Sequence, residues 1–287
     1  MITKTIDLYE YFGLEKPELA RGLLSVYVPD RHVSHGANRK RPSVLVMPGG
    51  GYSYTSEREA EPVAMKFLAK GYNAFVLYYS CEPAPFPYAL QEAGMAMVYI
   101  REHGEEFGVR EDRVVSIGFS AGGHLCGSLA TLFNDPALDF LGDKKKLVRP
   151  EACVLMYPCV STKFNDVSAG CIAKITYGDN DLLNYLSLED RVSEDSVPAY
   201  IFATLGDGCV PAKNSLVMAC AYHEKGVPYC LHILEKGYHG LSVNDVTCDT
   251  PESIEERKDS TPENYSDWLS QVFTWLEERD FKVITNN

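Results

Sequence analysis

The sequence predicts a single α/β domain in which a mostly parallel central sheet is flanked by helices. Short β-rich apolar runs alternate with segments of helical period along most of the chain. Two of these runs, Ser43-Val-Leu-Val-Met47 and Arg113-Val-Val-Ser-Ile-Gly118, are the kind buried on both faces of a sheet. The 287 residues suffice for one sizeable core, and no Gly/Ser/Pro-rich linker or composition shift divides them.

Taken in order, 22–28 reads as the first strand and is followed by a basic, histidine-containing loop over 31–41. The next strand, 43–47, stops at Pro48-Gly49-Gly50-Gly51-Tyr52. Residues 57–70 read as a helix because Ala60, Val63, Ala64, Phe67 and Leu68 share one face, and Gly71 supplies a C-cap. A strand at 73–79, a stretch punctuated by Pro83, Pro85 and Pro87, and a helix to about Phe107 come next. The strand at 113–118 runs straight into Phe119-Ser120-Ala121-Gly122-Gly123-His124 and a helix to about Phe133. Later strands are expected at 152–157, 199–204 and 229–234, with a helix over 211–224 between the last two. A final helix begins near Thr261-Pro262 and presents Trp268, Val272, Trp275 and Leu276 on one side. The polar segment 158–197 reads either as a lid or pocket wall, or as a crossover helix with decorated loops.

Bulk properties narrow the function. The formal net charge of −13 argues against nucleic acid and anionic membrane surfaces as partners, while neutral esters and sugars stay open. No apolar run approaches the ~20 residues of a membrane helix. Nine scattered cysteines, without CxxC or zinc spacing, read as reduced core residues. The first residues lack a secretion signal, so a cytoplasmic location is expected. Neither a metal nor an organic cofactor is called for, and the oligomeric state stays open, homo-oligomers included.

Gly118-Phe119-Ser120-Ala121-Gly122 is a G-x-S-x-G elbow, in which a tight strand-to-helix turn lifts the serine hydroxyl above the sheet. The preceding strand and the following helix, rich in small residues, supply the required context. Such a nucleophile needs donors for the oxyanion. The backbone N–H of Ala121 is one, and the triglycine loop after the earlier strand provides the other, with Gly50 favoured and Gly49 or Gly51 assisting. In this arrangement the acid and then the histidine follow the serine, each in a post-strand loop. His32, His35 and His103 precede Ser120; His124 lies one turn beyond it, His223 near a helix end, and His232 within a strand. His239, in Gly237-Tyr238-His239-Gly240, is the base that remains. Asp207 follows the strand at 199–204 and precedes a helix, unlike Asp190, Asp195 or Glu235. The competing reading of Asp207 is a turn aspartate bonding its own backbone.

Through Pro48-Gly49-Gly50-Gly51-Tyr52, Gly118 to His124, Asp207 to Pro211 and Gly237 to Gly240, the chain resembles esterase/lipase-like α/β hydrolases. The likeness is to the acetyl-xylan-esterase-like (endo-1,4-β-xylanase-like) bacterial group and covers about Val44 to Leu241. Pro48 stands where HGGG lipases carry histidine but fits this subgroup. The resemblance implies an α/β-hydrolase fold and a Ser120–His239–Asp207 serine esterase. Small-molecule short-acyl esters, acetylated (xylo-)oligosaccharides among them, would be its substrates. An aryl-formamidase or small peptidase on the same scaffold, and a non-catalytic interaction protein, are the rival readings.

Overall fold

Residues 1–30, 39–164, 166–251, 254–255 and 268–285 are described by the computed structural model. The loop at 31–38, with His32 and His35, and the expected start of the last helix at Thr261-Pro262 lie outside them.

The centre of the sheet is built from runs with apolar side chains on both faces. In β3 (Arg39–Met47), Leu45 and Met47 enter one apolar layer while Val44 and Val46 enter the other. Strand β5 (Val109–Phe119) divides likewise, with Val114 on one side and Val115, Ile117 and Phe119 on the other. Each such buried side chain contributes about 1.5–3 kcal/mol through burial. Between and beyond them lie β4 (Asn73–Tyr78), β6 (Ala152–Met156), β7 (Ala199–Thr204) and β8 (Tyr229–Leu234). With β1 (Ile2–Asp7) and β2 (Leu23–Val28), the order is β1-β2-β4-β3-β5-β6-β7-β8. The pairs from β4 to β8 are parallel, whereas β1–β2 and β2–β4 are antiparallel. The short β9 (Ile284–Thr285) pairs antiparallel with the start of β3.

Helices cover both faces. On one side stand α3 (Tyr88–Glu102), α5 (Ser120–Thr131) and α8 (Lys213–Glu224). On the other stand α2 (Glu61–Ala69) and α9 (Trp268–Glu277), which buries Trp268, Val272, Trp275 and Leu276. The short helices α1 (Leu8–Phe12), α4 (Gly104–Phe107), α6 (Val167–Ala173) and α7 (Asn180–Tyr185) join them, with 3-10 segments at Glu57–Glu59, Pro136–Leu147 and Leu188–Asp190. The architecture is therefore the expected α/β one.

Several features differ from the expectation, among them the helix expected over 57–70, which is a 3-10 turn at Glu57–Glu59 followed by α2. Strand β1 and helix α1 precede the first expected strand; in Ile-Thr-Lys-Thr-Ile-Asp the half-buried Ile2, Lys4 and Ile6 alternate with the exposed Thr3 and Thr5, although Lys4 breaks any apolar alternation in the sequence. The helix expected to run to Phe107 breaks at His103 into α3 and α4. Of the two readings of segment 158–197, the single crossover helix does not hold, because the segment carries α6, α7 and a short 3-10 turn.

Because the strands from β3 to β8 run parallel, their carboxyl ends lie along one edge of the sheet. The loops after β3, β5, β6, β7 and β8 all open there, which is where ligands bind in open α/β sheets.

Candidate active site

Ser120 ends β5 and begins α5 in a single step, with φ at +53°, a left-handed conformation that a residue with a side chain adopts only under constraint. The two glycines around it are there because backbone approaches backbone. A β-carbon on Gly118 would overlap the carbonyl of Gly122, and one on Gly122 would overlap the carbonyls of Met47 and Pro48. Helix and strand thus come together closely enough to lift the serine hydroxyl out of the sheet.

Three of the expected residues meet. His239 Nε2 lies 2.9 Å from Ser120 Oγ, and Nδ1 lies 2.7 Å from Asp207 Oδ2. The Asp207 side chain is only 1% exposed. Its other oxygen, Oδ1, accepts the backbone N–H groups of Cys209 and Val210, both at 2.8 Å. The two readings of Asp207 are therefore compatible: one oxygen fixes the turn and the other faces the imidazole. Burial pulls the pKa of His239 down, but the hydrogen bond and charge of Asp207, aided by Glu59, outweigh it and raise the net value above that of an ordinary imidazole.

The triglycine loop is pinned from several sides. Tyr79 donates its hydroxyl to the Pro48 carbonyl at 2.6 Å, and the Gly50 carbonyl accepts from the N–H groups of Ser53 and Tyr54. Gly50 adopts φ +127°, where a β-carbon would strike the Tyr54 carbonyl, and together with Gly51 it faces the cleft beside Ser120. One expectation is corrected. Gly49 donates its N–H to Glu59 Oε2 at 2.8 Å, so this donor is already engaged and does not face the cleft. Gly50 and Gly51 remain as candidate donors, together with Ala121, whose N–H lies in the first turn of α5 and has no acceptor within the helix.

Glu59 is the residue that the sequence reading missed. It is 4% exposed, just before α2, and Oε1 accepts the Tyr157 hydroxyl at 2.7 Å. Tyr157 follows β6, sets its ring edge-on to His239 at 5.2 Å, and accepts the Ser242 N–H at 3.0 Å. No apolar periodicity marks a buried carboxylate, and a Glu among Ser56-Glu57-Arg58-Glu59 looks like any solvated helix start.

The cleft above these groups holds about 330 Å³ and is walled by Arg58, Val167, Cys171 and Lys174. Three of the four come from segment 158–197. A hydrogen bond from Cys159, with help from Lys174 and against burial, brings the Cys171 thiol down to about 7. All nine cysteines carry free thiols. Among the described residues no cluster of His, Cys, Asp or Glu could hold a metal ion, and no helix is long and apolar enough to cross a membrane.

The other candidate side chains are occupied elsewhere. His124 is buried, donates Nε2–H to the Leu186 carbonyl at 2.9 Å and accepts the Tyr52 hydroxyl at Nδ1 at 2.8 Å; burial lowers its pKa to about 4. It braces the triglycine loop from below. His232 stacks on Tyr200, His103 stacks on Phe107, and Asp190 pairs with Lys163.

Comparison with known proteins agrees with this architecture. The chain is 33% identical over 214 residues to endo-1,4-beta-xylanase B of Butyrivibrio fibrisolvens, covering 73% of this chain and 34% of that protein. It is 26% identical over 208 residues to an acetylxylan esterase of Xylanibacter ruminicola, covering 69% and 41%. The chain thus spans well under half the length of either relative. Among solved structures, the acetyl ester-xyloside bifunctional hydrolase of Caldicellulosiruptor lactoaceticus superposes with a TM-score of 0.81 at 28% identity, over 97% of both chains. The model of the BD-FAE family matches residues 24–221, and the chain belongs to that family and has the α/β-hydrolase fold.

Proposed function

We propose that this hydrolase is a serine carboxylesterase that cleaves short-acyl esters, acetylated (xylo-)oligosaccharides foremost. The observation that carries the reading is the hydrogen-bonded chain Ser120–His239–Asp207, whose Ser120 and His239 line a cleft together with Gly50 and Gly51. His239 takes the proton of Ser120 as Oγ attacks the ester carbonyl, and Asp207 steadies the imidazolium that forms. The oxyanion is received by the N–H groups of Ala121 and Gly50, a contribution of about 2.7–4 kcal/mol per donor. His239 returns the proton to the departing alcohol, and water then repeats the sequence on the acyl-enzyme.

The cleft supports deacylation over cleavage of a sugar–sugar bond. Glycoside hydrolysis needs two carboxyl groups free to flank the bond. Here Asp207 is bound to His239 and two backbone amides, and Glu59 to Gly49 and Tyr157. The name of the acetylxylan esterase points the same way, whereas the names of the xylanase and of the acetyl ester-xyloside bifunctional hydrolase also include cleavage of a glycosidic bond. A volume of about 330 Å³ is at the small end for ligand pockets and suits a short acyl group beside one sugar ring. The free thiols support a reducing, cytoplasmic setting.

The test compares wild type with Ser120→Ala on p-nitrophenyl acetate and butyrate, then on acetylated xylo-oligosaccharides with acetate release as readout. Acetate esters are expected to be cleaved faster than butyrate, and Ser120→Ala to remove at least ~10³ of the rate. Equal rates in the two proteins would exclude Ser120 as the nucleophile, and a preference for butyrate would exclude the short-acyl assignment.

A further inference from the structure

Three separate loops must keep register for the proposed chemistry: the triglycine loop after β3, the Tyr157 turn after β6 and the His239 loop after β8. A single buried carboxylate touches the first two directly and the third through one hydroxyl. Glu59 Oε2 holds the Gly49 N–H at 2.8 Å, Oε1 holds the Tyr157 hydroxyl at 2.7 Å, and that hydroxyl holds the Ser242 N–H at 3.0 Å. The Ser242 hydroxyl returns to the Arg58 carbonyl at 2.5 Å, which closes the circuit next to Glu59 itself. A β-carbon on Gly240 would lie 4.0 Å from Glu59 Oε1, so the carboxylate also stands beside the residue that follows His239.

We infer that Glu59 is the positioning residue of this site, an inference that rests on the serine-esterase reading. By fixing Gly49 it aims the N–H groups of Gly50 and Gly51 into the cleft, and through Tyr157 it fixes the loop that carries His239. Its charge has a second effect. When His239 takes the serine proton, the imidazolium forms in a buried site, and an anion close by favours it. The titratable groups that face His239 are Asp207 behind Nδ1, Glu59, Cys171 and Tyr157, with Arg58, Lys174 and Cys209 on the same cleft wall. Of these, Asp207 and Glu59 are the carboxylates, and only Glu59 also binds the oxyanion loop.

Charge and geometry are separated by two substitutions. Glu59→Gln keeps an oxygen for Gly49 but loses the charge and mismatches the Tyr157 hydroxyl. Tyr157→Phe keeps the charge and cuts the link to Ser242. Both are measured in a Cys171→Ala background, so that the acid limb reports His239 and not the nearby thiol. With p-nitrophenyl acetate, Glu59→Gln is expected to lower kcat about 10- to 100-fold while KM stays within about twofold. It is also expected to move the acid limb of kcat/KM down by about half a pH unit or more. Tyr157→Phe is expected to lower kcat and leave the limb in place. Wild-type kcat in Glu59→Gln, or a lower kcat with an unmoved limb, overturns the inference. Ser120→Ala in the same background keeps the two claims apart. If it retains the parental rate, the esterase reading itself fails; if it is inactive while Glu59→Gln behaves as its parent, only the role of Glu59 fails. Should Glu59→Gln not fold, as judged by circular dichroism, Tyr157→Phe carries the test, and an unchanged kcat there overturns the inference.

Discussion

Replacing Asp207 by asparagine tests the site most sharply, because the outcome depends on which way one amide turns. Oδ1 accepts two backbone N–H groups, from Cys209 and Val210, while Oδ2 faces His239 Nδ1. If the amide turned its nitrogen toward the two backbone donors, both would lose their acceptor, at about 1–3 kcal/mol each. The amide oxygen therefore stays on the turn and the NH₂ group faces the imidazole. His239 Nδ1 must then accept, which places the ring proton on Nε2, pointing at Ser120 Oγ. No lone pair remains to take the serine proton. A triad aspartate changed in this way typically loses ~10⁴ in kcat, equivalent to about 5 kcal/mol of transition-state stabilisation. Because both backbone bonds survive, the thermal midpoint should move little. The assay is p-nitrophenyl acetate hydrolysis, with the melting curve as control. A folded Asp207→Asn enzyme that retains kcat within about tenfold of wild type would refute the tautomer argument.

Two further outcomes are expected. Gly50→Ala places a β-carbon against the Tyr54 carbonyl at a backbone angle of φ +127°, so the loop must shift and its N–H with it; kcat on p-nitrophenyl acetate should fall about 10²–10³-fold, and an unchanged kcat would remove Gly50 from the oxyanion site. His124 titrates at about 4 in the folded protein against an ordinary value of 6.5, so below 6.5 the unfolded chain takes up a proton that the folded one refuses. Its contribution to stability is thus lost as pH falls from 6.5 toward 4, and in urea titrations the gap between wild type and His124→Gln should narrow by roughly 2–3 kcal/mol from about pH 7 to 4.5; a constant gap would contradict the assignment.

The parts of this protein that could be read from its sequence are those in which neighbouring residues along the chain share one environment. Val44, Leu45 and Val46 are all buried, so β3 announces itself as an unbroken apolar run. Ser120, Asp207 and His239 could be singled out because each follows a strand, and the structure brings their side chains together. What stayed hidden depends on partners far away in sequence. Gly49 looks equivalent to Gly50 until Glu59 is seen to take its N–H. Glu59 looks like a surface carboxylate until Tyr157, 98 residues on, is found against it. Helix α1 went unread because its cap, Asp7, and its closing Gly13 are common residues around a helix of five. Segment 158–197 has no single period because it holds two short helices and a 3-10 turn, each too brief to impose one.

The backbone angle of Ser120 also bears on how such a protein can change over generations. A side-chain-bearing residue at φ +53° costs on the order of 1–2 kcal/mol relative to glycine, and the protein carries this cost at a residue whose hydroxyl does nothing for packing. Glycine at this position would relax the turn, at some cost in chain entropy, and would remove the proposed nucleophile. On the proposed mechanism, Ser120 is therefore the position at which keeping the reaction and relaxing the backbone pull in opposite directions.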